Sequence, residues 1–582
     1  TGTNSNNRLS VGDDGLDSVM AGDGDDHIYA GLGNDTLDGQ GGSWDRVDYS
    51  LITDDDYRGV DVNLTTGLAI GKYDDGTTLF TDTIANIETI VGSNYDDTLT
   101  GNADQNQFYG TEGNDFINGY EGSWNQASYR YYISNSDFNG IEVYLADERA
   151  YGKDGNNDPL VNPLFTDTLS NINSIAGSFY DDILIGDSNR NYFNGTEGGD
   201  FIDGQGEDDR VSYYWNVEDS NFNGIVVDLA NERAFGKDGN NDPLVNPLFT
   251  DTLFNIEDIE GSRFNDTLIG NSDHNNFEAT EGNDYIDGQT GRDRVEYNRN
   301  IQDPDFNGIE VDLVTERALG KDGNNDPLVN PLFTDTLINI EKVTGSRFND
   351  RLVGNSADNN FYGTEGDDYI DGQGGLNYLS YTWDIDNPDF NGVVVDLTNE
   401  RAFGKDGNND PLVNPLFTDT VINIESVRGS KFADRLIGNS DDNRFSGNEG
   451  NDYIDGQGGW NHVGYYWDIE DPDFNGVVVD LADERAFGKD GDNDPLINPL
   501  FTDTLINIEG VQGSEYDDRL IGDSNDNNFD GTEGGDFIDG QTGWDHVNYR
   551  WNIEDPNYNG VDINLITWTA TGWHQDGNTL FT

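Results

Sequence analysis

Cysteine is absent from the 582 residues, which excludes a disulfide framework, a zinc–thiolate site and a thiol nucleophile. Cationic residues are scarce: 30 Lys plus Arg stand against 114 Asp plus Glu, a formal net charge of −84. So acidic a chain offers no basic face to phosphates, and nucleic acid is excluded as a partner. No apolar run reaches the ~18 residues of a membrane-spanning helix, so no transmembrane segment is expected. The chain opens on Thr1 with no charged-then-apolar segment behind it, as expected of a processed or partial chain. Low hydrophobicity (34%) with high charge is the composition of disorder. Against that stand 12% aromatics, only 14 prolines and a strict internal period. The fold therefore needs more than an ordinary core to offset its charge, and bound metal is the candidate for an Asp-rich, cysteine-free chain.

The period is read from Phe-Thr-Asp-Thr, whose Asp falls at Asp82, Asp167, Asp251, Asp335, Asp419 and Asp503, steps of 85 and then 84 residues. Self-similarity at fixed period means a stacked array whose units bury their faces against neighbours. Seven modules follow: 1–91, 92–176, 177–260, 261–344, 345–428, 429–512 and a shortened 513–582, each after the first starting at a Gly-Ser pair.

A finer period of nine lies inside each module. Residues 261–296 read GSRFNDTLI, GNSDHNNFE, ATEGNDYID and GQTGRDRVE. The sixth position is Asp266, Asn275, Asp284 and Asp293; the eighth is Leu268, Phe277, Ile286 and Val295. Six residues suit a turn, with Gly where φ is positive or backbones approach closely. Three suit a short strand whose middle, apolar residue points inward. An acidic residue kept in register with that position sets carboxylates at the turn ends, where they can reach a cation held between turns. Calcium suits such a place because it takes six to eight hard oxygen ligands. The acidic positions are Asp17, Asp26, Asp35 and Asp45 in the first module, then Asp97 and Asp115, then Asp182, Asp200 and Asp209. They continue as Asp266, Asp284 and Asp293, Asp350 and Asp368, Asp434 and Asp452, and finally Asp518, Asp536 and Asp545.

This pattern resembles the glycine-rich nonapeptide of the RTX, or haemolysin-type calcium-binding, family. The linking stretch DTLINIEKVTGSRFNDRLVGN at 335–355 is similar to the joins between nonapeptide blocks in large RTX proteins. The resemblance implies an all-β fold, a right-handed parallel β-roll or β-solenoid binding several Ca2+ ions. It also implies export to the cell exterior and ions shared by turns two apart, so that Asp266 and Asp284 would flank one site. The second nine departs from the pattern, with Asn106, Asn191, Asn275, Asn359, Asn443 and Asn527 in the sixth place. Such turns are expected to close by side-chain hydrogen bonds and to bind calcium poorly.

The rest of each module is not nonapeptide. Gly392–Leu397 alternates, Thr-Asn-Glu-Arg turns and Ala402 begins a return, which reads as an inserted β-hairpin. A KDGNNDPLVNPLFTD-type loop then occurs five times. Its one-three-five oxygens are Asp154, Asn156 and Asp158; Asp238, Asn240 and Asp242; Asp322, Asn324 and Asp326; Asp406, Asn408 and Asp410; and Asp490, Asp492 and Asp494. That spacing fits a calcium loop, and fits equally a solvated loop rich in Asx turns. Aromatic clusters (Tyr213-Tyr214-Trp215, Tyr381-Thr382-Trp383, Tyr465-Tyr466-Trp467) read as packing between hairpin and roll, or as a stacking surface for sugars.

No catalytic constellation stands out. His27, His274, His462, His546 and His574 share no module position, and no GxSxG or HExxH is present. Near-identical copies argue for a repeated surface rather than one active site, so the expectation is a non-enzymatic structural protein of the cell exterior: an S-layer, sheath or filament subunit. Two ends matched in phase would suit head-to-tail self-association. The alternative is a calcium-dependent adhesin or carbohydrate-binding stalk with a surface polysaccharide as partner.

Overall fold

The computed structural model describes residues 5–12, 15–54, 56–122, 124–155, 159–214, 217–239, 247–299, 301–323, 330–382, 385, 387–407, 415–466, 469, 471–490, 499–549, 558–564, 569–574 and 579–581. The chain divides into two compact units, Thr1–Gly291 and Arg292–Thr582, built on the same plan. No helix among the described residues is long and apolar enough to cross a membrane.

The third module, within the first unit, shows the plan. Four three-residue strands, β1 (Ile183–Ile185), β2 (Tyr192–Asn194), β3 (Phe201–Asp203) and β4 (Arg210–Ser212), occupy the last three places of the four nines. They alternate between two sheets: β1 pairs β3 and β2 pairs β4, both parallel. The middle residue of each, Leu184, Phe193, Ile202 and Val211, is 0–1% exposed. One apolar side chain per nine residues therefore faces the core, contributing about 1.5–3 kcal/mol each.

The insertion that follows has three strands, not two. β5 (Phe222–Asp228), β6 (Arg233–Asp238) and β7 (Thr250–Phe254) form an antiparallel set in the order β5–β6–β7. β7, which carries the Thr-Asp-Thr that follows Phe249, lies parallel to β3, and β5 lies parallel to β9 (Thr267–Ile269) of the next module. On the opposite sheet β8 (Asp258–Glu260) pairs directly with β4. Each module thus adds five strands to one face and three to the other; at about 4.8 Å per strand that is about 24 Å against about 14 Å. These are called the broad and narrow faces below.

Aromatic rings fill the seam between insertion and roll. Tyr213 and Phe222 both stack on Phe249 with centroids 6.2 Å away, and Phe264 meets Phe222 edge-on at 5.8 Å. The second unit repeats the set with Tyr381, Phe390, Phe417 and Phe432. Tyr213, Tyr381 and Tyr465 are buried to 1% or less, so these rings pack rather than line a surface; Trp215, Trp383 and Trp467 lie outside the described residues. Gly236 is required beneath the stack, because a Cβ there would sit 2.3 Å from the Phe249 ring. In the second unit, residues 558–564, 569–574 and 579–581 form an antiparallel three-stranded sheet at the position of the seventh insertion.

Candidate metal centre

Within a module the acidic sixth positions of the broad face form a ladder. Asp182 N–H donates to Asp200 Oδ1 at 2.9 Å, and Asp200 N–H donates to Asp251 Oδ1 at 3.0 Å. Asp251 Oδ2 in turn accepts the Tyr213 hydroxyl at 2.7 Å. The same trio recurs in the second unit as Asp350, Asp368 and Asp419 with Tyr381. Asp266 and Asp284 are consecutive rungs of this ladder, joined at 2.8 Å. Asp97, Asp115, Asp434, Asp452, Asp518 and Asp536 occupy equivalent rungs, and Asp17 and Asp35 begin the series.

The first rung of each later module is filled by protein donors. The Gly-Ser pair supplies Ser178 N–H and hydroxyl to Asp182, and Ile141 N–H, turned inward by the left-handed Gly140 (φ 118°), donates to Oδ1 at 2.7 Å. Burial drives the Asp182 carboxyl up to about 6 and that of Asp251 to about 7. For Asp200, burial and the neighbouring Asp251 and Asp182 charges push it well above the carboxylate range.

The narrow face carries a different ladder. Asn191 N–H donates to Asp209 Oδ1 at 2.7 Å, and Asp209 N–H donates to Glu257 Oε2 at 2.9 Å. Asn191 Oδ1 closes its own turn by accepting Asp187 N–H at 2.7 Å, the Asx closure expected of these turns. Asn275, Asn359, Asn443 and Asn527 do the same. Asp26 and Asp45 run along this face in the first module, linked at 2.7 Å, with Glu88 as the next rung. Asp293 and Asp545 hold the corresponding places in the second unit, bonded to Glu341 and Asn527.

Among the described residues no three His, Asp or Glu side chains converge as a metal-binding group. A cation here would therefore be completed by backbone oxygens. Two observations fit a hard divalent ion. Asp26, Asp35, Asp209 and Asp452 each keep one buried carboxylate oxygen without a hydrogen-bond partner. In the first module, the turns stack so closely that a Cβ on Gly33 would meet the Gly15 carbonyl oxygen at 2.3 Å, and one on Gly42 the Gly24 oxygen at 2.5 Å. Asp452 is exposed to this role by a local change. Thr196 places a hydroxyl 3.3 Å from Asp200 Oδ2, whereas Asn448 replaces that threonine and turns its amide to the Gly429 carbonyl. Bound at such places, Ca2+ supplies positive charge to carboxylate and carbonyl oxygens that water cannot solvate.

The nonapeptide register, the buried carboxylates and the stacked glycine turns now stand together. Matches to the model described as RTX calcium-binding nonapeptide repeat (4 copies) fall at 11–43, 85–123, 169–202, 176–211, 257–296, 344–379, 428–461 and 511–538. The chain carries RTX calcium-binding repeats. These repeats bind Ca2+, several ions to a chain, and the matched blocks overlap the nonapeptide segments of the modules. No curated protein matches the chain.

Of the loop candidates, Asp154, Asp238, Asp322, Asp406 and Asp490 end the middle strand of each insertion. Asn156, Asp158, Asn240, Asp242, Asn324, Asp326, Asn408, Asp410, Asp492 and Asp494 lie outside the described residues. Three kinds of ladder residue escaped the reading of the nines: Asp251 and its repeats, Tyr213 and its repeats, and Glu257 with Glu88 and Glu341. The signal lay in the repeated Phe-Thr-Asp-Thr, which had marked only the period, and in Asn-Ile-Glu, which the second module carries as Asn171-Ile172-Asn173.

Proposed function

We propose that this is a secreted, calcium-dependent structural protein of the cell exterior, a subunit of an S-layer, sheath or filament, with the seven modules as its building units. The observation carrying this reading is the carboxylate ladder, copied rung for rung from module to module. Two carboxylates about 5 Å apart repel by about 0.8 kcal/mol in water and several-fold more where water is excluded. Few cationic side chains are at hand to offset the repulsion in a chain of net charge −84. Folding linked to calcium lets such a chain remain open where calcium is scarce and close outside the cell, where calcium is abundant. A repeated frame with one design of buried polar network suits a scaffold, because a catalytic site needs one unique set of groups.

Self-association into a polymer or layer follows from the same reading. Negative-stain imaging of the purified protein with Ca2+ and with chelator tests it. Ordered filaments or sheets that disperse on chelation are the expected result; dispersed monomers under both conditions would refute assembly.

A further inference from the structure

The outward faces of the repeats are copied less faithfully than their cores. On the narrow face of the first unit, Arg210 is clamped by Glu260 at 2.9 Å and by Glu278, and Arg190 by Asp258. Two modules later, 168 residues on, Asp258, Glu260 and Glu278 are replaced by Ser426, Arg428 and Ser446. Three carboxylates (−3) have become one guanidinium and two hydroxyls (+1). The core beneath is unchanged in character: Val427 and Phe445 are 1% and 3% exposed, Ile259 and Phe277 1% and 0%. Packing does not dictate the exchange.

Within the second unit these positions open into a groove of about 640 Å³, lined by Tyr378, Arg428, Arg444, His462, Tyr466 and Gln512 among others. Its carboxylate, Asp530, is already engaged, by His462 at 3.2 Å and by the Asn548 amide at 3.1 Å. Burial would raise the Asp530 carboxyl, but His462, Asn548 and the Arg444 charge hold it below its ordinary value. The groove is lined by guanidinium groups, amides, hydroxyls and tyrosine rings, and Arg428 Nε donates to Asn448 Oδ1 at 3.1 Å. At the turn two residues before His462, Trp460 is 44% exposed, and Trp544 holds the same place before His546 at 89%. The backbone N–H of each donates at 2.7 Å, to Asp442 and Asp526 respectively.

Guanidinium groups pair with carboxylates or sulfates, and a held indole or phenol ring offers a stacking face to a pyranose. We propose that this groove binds an acidic polysaccharide, a chain of carboxylated or sulfated sugars, with Arg428 and Arg444 meeting its anionic groups and Tyr378 and Tyr466 its ring faces. The acidic turns of a second copy would pair with the arginines but leave the amide and aromatic lining without use, so the sugar chain is the better match. The proposal rests on the exterior placement argued above only for access to such a chain; the site stands on its own residues.

The test is binding of the full-length, Ca2+-loaded protein to dextran sulfate and to polygalacturonate, with unmodified dextran as the neutral control. The Tyr378→Arg/Arg428→Glu/Ser446→Glu variant restores the set that the first unit carries as Arg210, Glu260 and Glu278, so the fold accommodates it. Arg444→Gln is the second variant, and Arg401→Glu, on the broad face, is the control for charge alone. Binding to both anionic polymers and not to dextran is expected, weakened about tenfold or more by either groove variant and unchanged by Arg401→Glu. Equal binding of dextran, no binding, or equal loss with Arg401→Glu overturns the proposal. Loss of self-association in the groove variants without any polysaccharide binding also overturns it and assigns the groove to a second copy. None of these outcomes bears on calcium-linked folding, which chelation tests separately.

Discussion

Tyr213→Phe removes one oxygen and nothing else from the centre of a module. The Tyr213 hydroxyl donates to Asp251 Oδ2 at 2.7 Å, both side chains are fully buried, and Asp251 holds the ladder through its other oxygen. Phenylalanine keeps the ring stacked on Phe249, so no cavity opens and the cost is that of the bond. Depriving a buried carboxylate of a donor costs about 1.5–3 kcal/mol. In an array of repeats the loss appears as local opening, and about 2 kcal/mol corresponds to about thirtyfold faster exchange. Hydrogen exchange of the Ca2+-loaded chain should show this in the peptides carrying 201–203 and 250–254, and not in those of the second unit. The effect should be larger at pH 8 than at pH 6: burial puts the Asp251 carboxyl at about 7, and the tyrosine proton is worth more to the carboxylate than to the neutral acid. Unchanged exchange, or an equal loss at both pH values, would refute the structural role of the tyrosine–aspartate pair.

Gly236→Ala should destabilise its module by about 1–3 kcal/mol, because the new methyl overlaps the Phe249 ring; a local exchange rate like wild type would contradict this. Asp452→Asn should lower calcium stoichiometry or affinity in calorimetry while sparing the metal-free chain, since one of its oxygens is unpartnered. Asp182→Asn, which disturbs three hydrogen bonds that its carboxylate accepts, should instead lower the melting temperature of the Ca2+-loaded chain. Chelated protein should be more structured at pH 5 than at pH 8 by circular dichroism. Burial raises Asp182 to about 6 and Asp419 to about 7, so the folded state holds protons that the unfolded chain has released, and stability falls as pH rises from about 4 to about 7. Greater order at pH 8 would reverse that sign.

Local chemistry was legible in the chain, and distant pairing was not. The resemblance to RTX repeats implied that Asp266 and Asp284 are neighbours, while the nine-residue register placed the eighth residue, such as Leu268 and Ile286, inward, because strand and turn there are decided locally. Asn191 was recognisable as a self-closing turn for the same reason. The hairpin Phe222–Asp238 followed from alternation, but its third strand Thr250–Phe254 did not, since its ladder partners lie on both sides of it in space. Tyr213 meets Asp251 across 38 residues and Glu257 meets Asp209 across 48; no short-range pattern announces such bonds. The narrow-face exchange of Glu260 for Arg428 was visible in the letters, yet only the common register of the strands gave it a place.

Cohesion by divalent ions among stacked acidic turns is most directly tested by exhaustive dialysis against EGTA, followed by circular dichroism and melting before and after Ca2+ is restored. The account predicts that the β signal and the cooperative melt are lost on dialysis and return with Ca2+. A spectrum and melting temperature unchanged by chelation would contradict it.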